Sequence, residues 1–268
     1  MSSAASTYET IAVRVEDRVA VIELSRPDAL NAITLEMGRE LLAALQGLSA
    51  DTAVRCVILT GAGRAFSSGA DLKSIGPDIP TLPSGKPDLG WALRELYNPI
   101  VLLLREMPQP VVAAVNGVAA GIGCSWALAC DLVVAAPTAT FLLAFRNVAL
   151  VPDGGASLTV PARAGFGRGA EMALLGEQVT AQDALAWNLV NRVEDDALGA
   201  AMGLARRLAD GPPEAQAAIK SLLNLQLLEP LRAQLAAEAD AQTRRSDSDE
   251  VVEAVTAFLQ KRPPDFGG

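Results

Sequence analysis

Apolar and polar positions follow two regimes along this chain. Up to about residue 195, short β-branched runs alternate with stretches of helical spacing. From Asp196 onward the spacing is helical almost throughout. Ile11 to Val15 and Val19 to Leu24 flank Glu16-Asp17-Arg18 and predict a hairpin. Behind Thr34, the residues Met37, Leu41, Leu42, Leu45 and Leu48 recur at helical spacing and predict an amphipathic helix. Cys56–Thr60, Val111–Val115 and Leu132–Ala135 read as strands, with extended pieces around Thr140–Leu143 and Leu150–Val151. Helices are predicted over Gly90–Arg105, Gly121–Ala129, Ala156–Ala164, Gly169–Leu175 and Ala181–Trp187, and Val190–Val193 is a short apolar segment. Ile75 to Leu89 is rich in Pro, Gly and Asp and predicts a loop over a site. The later helices are expected over Leu198–Ala209, Glu214–Leu228, Leu231–Arg244 and Val251–Gln260. Strands alternating with helices imply an α/β core of parallel units buried on both faces, over residues 1–195, followed by a helical region over 196–268.

Composition narrows the chemistry. Half of the 268 residues are apolar, enough for a sizeable core. A net charge of −9 argues against nucleic acid or an anionic membrane as partner. The chain has no histidine, which removes Ser-His-Asp and Cys-His mechanisms and most zinc sites. Proton transfer then falls to a carboxylate, Tyr, Lys or Cys. Cys56, Cys124 and Cys130 show no framework spacing, so small core residues in a reducing, cytoplasmic compartment are expected. Met1 to Ser6 lacks the basic and apolar regions of a signal peptide. Val111 to Cys130 is uncharged and as long as a membrane span, but Asn116-Gly117, Gly121 and Gly123 break it. A buried strand, turn and helix is the expected form.

Two segments carry the candidate chemistry. Arg64-Ala65-Phe66-Ser67-Ser68-Gly69-Ala70-Asp71-Leu72 follows an apolar strand and the turn Gly61-Ala62-Gly63. The design returns after Val111–Val115, where Asn116-Gly117 leads into Ala120-Gly121-Ile122-Gly123-Cys124. Two strand ends with exposed backbone N–H groups, aimed at one point, stabilise an oxygen that becomes negative during reaction. The glycines do not match a dinucleotide loop, and neither a phosphate loop nor a GxSxG elbow is present. Asp153, in Leu150-Val151-Pro152-Asp153-Gly154-Gly155, is either a helix N-cap or an acid–base group, and Asp71 is equally open.

Together these segments resemble the enoyl-CoA hydratase/isomerase (crotonase) family. Ser25-Arg26-Pro27-Asp28-Ala29-Leu30-Asn31-Ala32, Gly176-Glu177, Trp187-Asn188-Leu189-Val190 and Phe258-Leu259-Gln260-Lys261-Arg262-Pro263 agree with the family's landmarks in order. The resemblance implies a crotonase-like spiral of β-β-α units, with C-terminal helices that build a homo-trimer or hexamer. It implies an acyl-CoA thioester substrate, with coenzyme A part of the substrate, no separate cofactor and no metal. The N–H groups of Ala70 and Ile122 would form the oxyanion hole. Ala29, Leu30, Ala65, Ser68, Asp71 and Leu72 match the CoA-contacting positions, and Gly121, Ser125, Phe145 and Pro152 complete the substrate-binding set. Ala29 stands where many members carry a basic residue, leaving one phosphate contact to Arg26 or to no residue. Ser125 and Phe145 occupy the positions of the two hydratase glutamates, while the later carboxylate position holds Asp153. That pattern resembles the isomerase branch, which includes Δ3,Δ2-enoyl-CoA isomerases and the ring-epoxide isomerase of phenylacetyl-CoA breakdown. Asp153 would then move a proton between substrate carbons, in a pocket kept dry by Phe141, Phe145 and Val151. The rival readings are a hydratase using Asp153 and water, and an acyl-CoA-binding protein without turnover.

Overall fold

The computed structural model describes residues 8–74, 76 and 78–267. Met1 to Ser6, and Ile75 and Pro77 within the expected loop, lie outside the described residues. β1 (Ile11–Glu16) and β2 (Val19–Leu24) form the antiparallel hairpin, and α1 (Leu35–Ala50) follows, its N-cap Thr34 accepting from the Met37 N–H. The chain then repeats one unit: a long strand, a short strand, a helix. β3 (Cys56–Gly61) and β4 (Ala65–Ser67) lead to α2 (Leu89–Ala92) and α3 (Asn98–Glu106). β5 (Val111–Val115) and β6 (Val118–Ala120) lead to α4 (Ile122–Ala129). β7 (Leu132–Ala135) and β8 (Thr140–Leu142) lead to α5 (Ala156–Ala164) and α6 (Phe166–Leu175). β9 (Val179–Thr180), α7 (Ala181–Ala186) and β10 (Arg192–Val193) complete the strands, before α8 (Ala197–Ala209), α9 (Pro213–Asn224), α10 (Leu228–Ser246) and α11 (Asp249–Gln260).

The long strands form one sheet in the order β1-β2-β3-β5-β7-β10, parallel beyond the hairpin. The short strands form a second, β4-β6-β8-β9. Each repeat therefore advances one strand along both sheets, which winds the chain into a spiral. Alternation along the long strands explains their burial on both faces. Val57, Leu59, Val111, Ala113 and Val115 face the main core. Cys56, Ile58, Val112, Ala114 and Val134 face the other way, under Ala197, Ala201, Ala205 and Ala209 of α8. Alanines four residues apart on α8 form one helical face and let its backbone approach the sheet. The boundary read from the sequence at residue 196 falls immediately before this helix.

Three local differences from the sequence pattern have physical causes. β4 and β6 span three residues each, too few to show a period, so only their turns were legible. Leu150–Val151 is not a strand: the Val151 N–H donates to Gln242 Oε1 at 3.3 Å rather than to a sheet partner. The expected single helix over Gly90–Arg105 is wound as a π-helix over Leu93–Tyr97, where the Asn98 N–H reaches Leu93 O. Pro99 has no N–H to give to Glu95 and its ring crowds that carbonyl, so the ladder slips just before it. The uncharged stretch Val111 to Cys130 becomes β5, β6 and α4, and among the described residues no helix is long and apolar enough to cross a membrane.

All eight residues of α4 are buried. Its C-terminal carbonyls receive two guanidinium groups: Arg105 Nη1 donates to Ala129 O (3.0 Å), and Arg163 donates to Leu128 O (2.9 Å) and Cys130 O (2.6 Å). Beside them Asp131 pairs with Arg105 (2.9 Å) and with buried Lys220 (2.8 Å). Positive groups at this end satisfy orphan carbonyls and complement the helix dipole.

Candidate active site

β4 and β6 run parallel, so both deliver their following residues to the same edge of the small sheet. Gly69, at φ +91°, lies flat against the next strand end: a Cβ there would stand 2.9 Å from Ala120 O. Only glycine permits both that conformation and that approach. Ala70 forms an isolated parallel bridge with Ile33, in which Ile33 N–H donates to Gly69 O (2.8 Å) and Asp71 N–H to Ile33 O (2.9 Å). That pattern leaves the Ala70 amide pointing away from Ile33. Among the described residues the Ala70 N–H has no acceptor, nor has the N–H of Ile122, the first residue of α4. Gly69 and Gly121 pack on each other, so the structure brings these two amide-bearing turns side by side.

Of the residues expected at the coenzyme flank, Ala29, Leu30 and Ser68 are bonded together beside this junction, whereas Asp71 and Leu72 line the cavity. Ser68 N–H donates to Leu30 O (2.9 Å), and Ser68 Oγ reaches Ala29 O at 3.5 Å. Arg26 donates to Asp71 Oδ2 (3.0 Å) and to Ala32 O, so its charge is engaged within the protein. Ala65 is buried in β4, its carbonyl accepting from Asn31 Nδ2 at 2.8 Å.

Beside the same junction lies this cavity, of about 60 Å³. Ala70, Asp71, Leu72, Asp153 and Gln242 line it together with the apolar Ile33, Leu35, Ala92, Leu93, Tyr97 and Leu150. Leu93 and Tyr97, four residues apart on one helical face, both stand on the cavity wall. Phe141, Phe145 and Val151 do not line it, contrary to the sequence expectation. Phe141 is enclosed in β8, and Phe145 lies behind Gly121. Ile122, Gly121, Ser125 and Pro152 also stay off the cavity wall. Ser125 Oγ donates to the backbone oxygen of Asp153 (2.8 Å) and so holds the segment that carries the acid.

The Asp153 side chain is buried, at 5% exposure. Its Oδ2 accepts from Gln242 Nε2 at 3.0 Å, and its Oδ1 has no partner among the described residues. Burial, and then the neighbouring Glu238 charge, push its pKa up to about 8, against a downward pull from the Gln242 donor. Tyr97, buried on the same wall, is also pushed upward, first by burial and then by the charges of Asp153 and Asp71. Enzyme sites commonly hold acids displaced in this way by burial and a like charge. Gln242, Glu238 and Tyr97 were not singled out from the sequence. The two α10 residues lie far along the chain, in helices whose only legible role was assembly. Among the described residues no cluster of three or more His, Cys, Asp or Glu is placed to hold a metal ion.

Gly154 sits at φ +60°, and a Cβ there would meet Ile122 Cδ1 at 2.5 Å and Ser125 Cβ at 2.9 Å. Gly154→Ala is expected to destabilise the protein by about 1–3 kcal/mol. A melting temperature within one degree of the parent would contradict this packing.

Two backbone amides without an acceptor among the described residues, and a buried acid beside an apolar cleft, thus stand on an α/β spiral. A family model described as enoyl-CoA hydratase/isomerase matches residues 14–268, and the chain belongs to that family. It is 42% identical over 262 residues to the 1,2-epoxyphenylacetyl-CoA isomerase of Escherichia coli (strain K12), covering 97% of this chain and 99% of the relative. It is 35% identical over 257 residues to the 2,3-dehydroadipyl-CoA hydratase of the same organism, covering 94% of this chain and 96% of the relative. The crystal structure of an enoyl-CoA hydratase from Mycobacterium avium subsp. paratuberculosis K-10 superimposes with a TM-score of 0.87 at 38% identity, over 98% of this chain and 100% of that one. The crotonase fold expected from the sequence is therefore the fold of this protein.

Proposed function

We propose that this protein is an enoyl-CoA isomerase that shifts a double bond along an acyl-CoA thioester. The observation that carries the reading is Asp153. It is buried at the cavity with one unpartnered oxygen and a pKa pushed up to about 8, while the two other positions that hold carboxylates in hydratases carry Ser125 and Phe145. Asp71 also lines the cavity, but it is paired with Arg26. One acid suffices when no water is added. The thioester oxygen sits between the N–H groups of Ala70 and Ile122. Asp153, as the carboxylate, takes a proton from Cα; the charge moves onto that oxygen as an enolate; the same acid returns the proton at Cγ. In other enzymes each such donor is worth about 3 kcal/mol in the transition state. Ala29, Leu30, Ser68 and Leu72 contact the coenzyme A moiety, which enters and leaves as part of the substrate, and no separate cofactor takes part. The similarity to the epoxyphenylacetyl-CoA isomerase supports an isomerase, and the similarity to the dehydroadipyl-CoA hydratase keeps hydration as the reading to test against.

The experiment is incubation in deuterium oxide with matched 2- and 3-enoyl-CoA esters, followed by mass spectrometry. Interconversion of the two esters with deuterium gained at carbon is expected. Formation of 3-hydroxyacyl-CoA would instead make the protein a hydratase, and binding without any mass change would make it a carrier. We further infer a cytoplasmic homo-trimer or hexamer. Large apolar side chains stand exposed on α6 (Phe166, Leu174) and α9 (Leu222, Leu223), surfaces that further copies would cover. Sedimentation as a single chain would exclude that assembly.

A further inference from the structure

Resting on that reading, we propose that Gln242 and Glu238, one turn apart on α10, are positioning residues that set the orientation and proton affinity of Asp153 from opposite directions. The geometry separates their tasks. Gln242 clamps the segment carrying the acid at two points: its Oε1 accepts from Val151 N–H (3.3 Å) and its Nε2 donates to Asp153 Oδ2 (3.0 Å). The first contact fixes which end of the amide faces the carboxyl. The second holds one carboxyl oxygen and leaves Oδ1, buried and unpartnered, as the oxygen that meets the substrate carbon. A donor on Oδ2 favours the carboxylate.

Glu238 acts on the other flank. It accepts from Gly155 N–H (2.7 Å), Ser157 N–H (3.1 Å) and Ser157 Oγ, capping the N-terminus of α5 two residues after Asp153. Its negative charge in the buried interior favours the protonated form of Asp153. The other titratable groups lining the same cavity are Tyr97, on the π-helical wall, and Asp71, which is paired with Arg26. The acid is thus poised between a donor and a like charge offered by a single helix.

The test uses two variants and two readouts. Gln242→Met keeps the volume and removes the donor; Glu238→Gln keeps the shape of the cap and removes the charge. The titration of the Asp153 carboxyl is read by carbon-13 NMR of aspartate-labelled protein, assigned against Asp153→Asn. The pH profile of kcat/KM is recorded beside it. Gln242→Met is expected to move both midpoints upward by about one pH unit, and Glu238→Gln to move them downward. Shifts of the same sign, or no shift in a folded variant, overturn the proposal. If Gln242→Met does not fold, the direction of the Glu238→Gln shift decides alone. Opposed shifts in the NMR titration together with unimpaired turnover by Asp153→Asn would uphold the positioning and sink the catalytic role instead.

Discussion

Asp153→Asn is expected to lower the turnover of a 3-enoyl-CoA ester by about 10²- to 10⁴-fold, with KM changed far less. Loss of a general acid–base group has that size, and the amide keeps the contact to Gln242 while losing the ability to move a proton. Steady-state kinetics on the purified variant check it, and activity within tenfold of the parent would refute the role. In the parent, log kcat/KM should rise with unit slope up to about pH 8 and then level, because the base works ionised and burial keeps it protonated below that point. Stability should follow the opposite course. The unfolded carboxyl loses its proton near 3.8 and the native one near 8. The contribution of this group is therefore full below the lower value and is lost as pH rises through the upper one, at about 1.4 kcal/mol per pH unit in between. Asn does not titrate, so the variant should melt above the parent at pH 9 and converge with it near pH 4. The residue proposed as the acid–base group is thus one the fold is expected to be more stable without at alkaline pH.

The largest loss of stability is expected far from the cavity, at Asp131. Its carboxylate joins Arg105 (2.9 Å), Lys220 (2.8 Å) and the Val111 N–H (2.8 Å). Lys220 is 6% exposed, and its remaining donors are used on Leu104 O and Gln109 O. Burial already depresses the Lys220 pKa, and Asp131 is the leading influence that restores it. Asp131→Asn leaves two buried cations without a counter-charge, and breaking a buried pair from one side costs about 3–5 kcal/mol. Urea unfolding should report a loss in that range; a loss below 1 kcal/mol would show that the cluster carries no net charge compensation. Replacing Asp131 and Lys220 together should recover part of it, because the second change removes the stranded charge.

Asp131 also illustrates what the sequence could and could not reveal. It stands at the end of the uncharged run Val111 to Cys130, a place that sequence alone reads as a helix or strand boundary. Nothing local announced that Arg105 and Lys220 would meet it, since those contacts span the chain. The long strands were legible because both faces are buried and β-branched residues fill them. The turns at Gly61–Gly63 and Asn116-Gly117 were legible because turn chemistry is local. The glycine-rich strand ends suggested exposed N–H groups, and the resemblance to the family's motifs, not the local sequence, singled out Ala70 and Ile122. The cavity wall was not readable in the same way. Phe141 and Phe145 are the large aromatics nearest Asp153 in sequence, yet neither lines the cleft: Phe141 is enclosed in β8 and Phe145 packs near Gly121, while Leu93 and Tyr97 arrive from a helix distant in sequence. Gln242 and Glu238 were hidden for a related reason: polar residues on a helix rich in charge look solvated until the helix is laid over the site.

The anchorage of α4 has a consequence for how this scaffold can diverge. The helix is roughly 12 Å long, and its rear is bolted down by Arg105 and Arg163, whereas its front presents Ile122. The walls of the cleft come from unrelated parts: the π-helical turn, the stretch around Leu150, and α10. α4 meets those walls at Ser125, which donates to the Asp153 backbone oxygen, and at Trp126, which stands edge-on to Tyr97 with ring centroids 5.7 Å apart. Under the proposed function, drift at wall positions away from those two contacts is expected to change which acyl chains fit while the rear of α4 stays anchored.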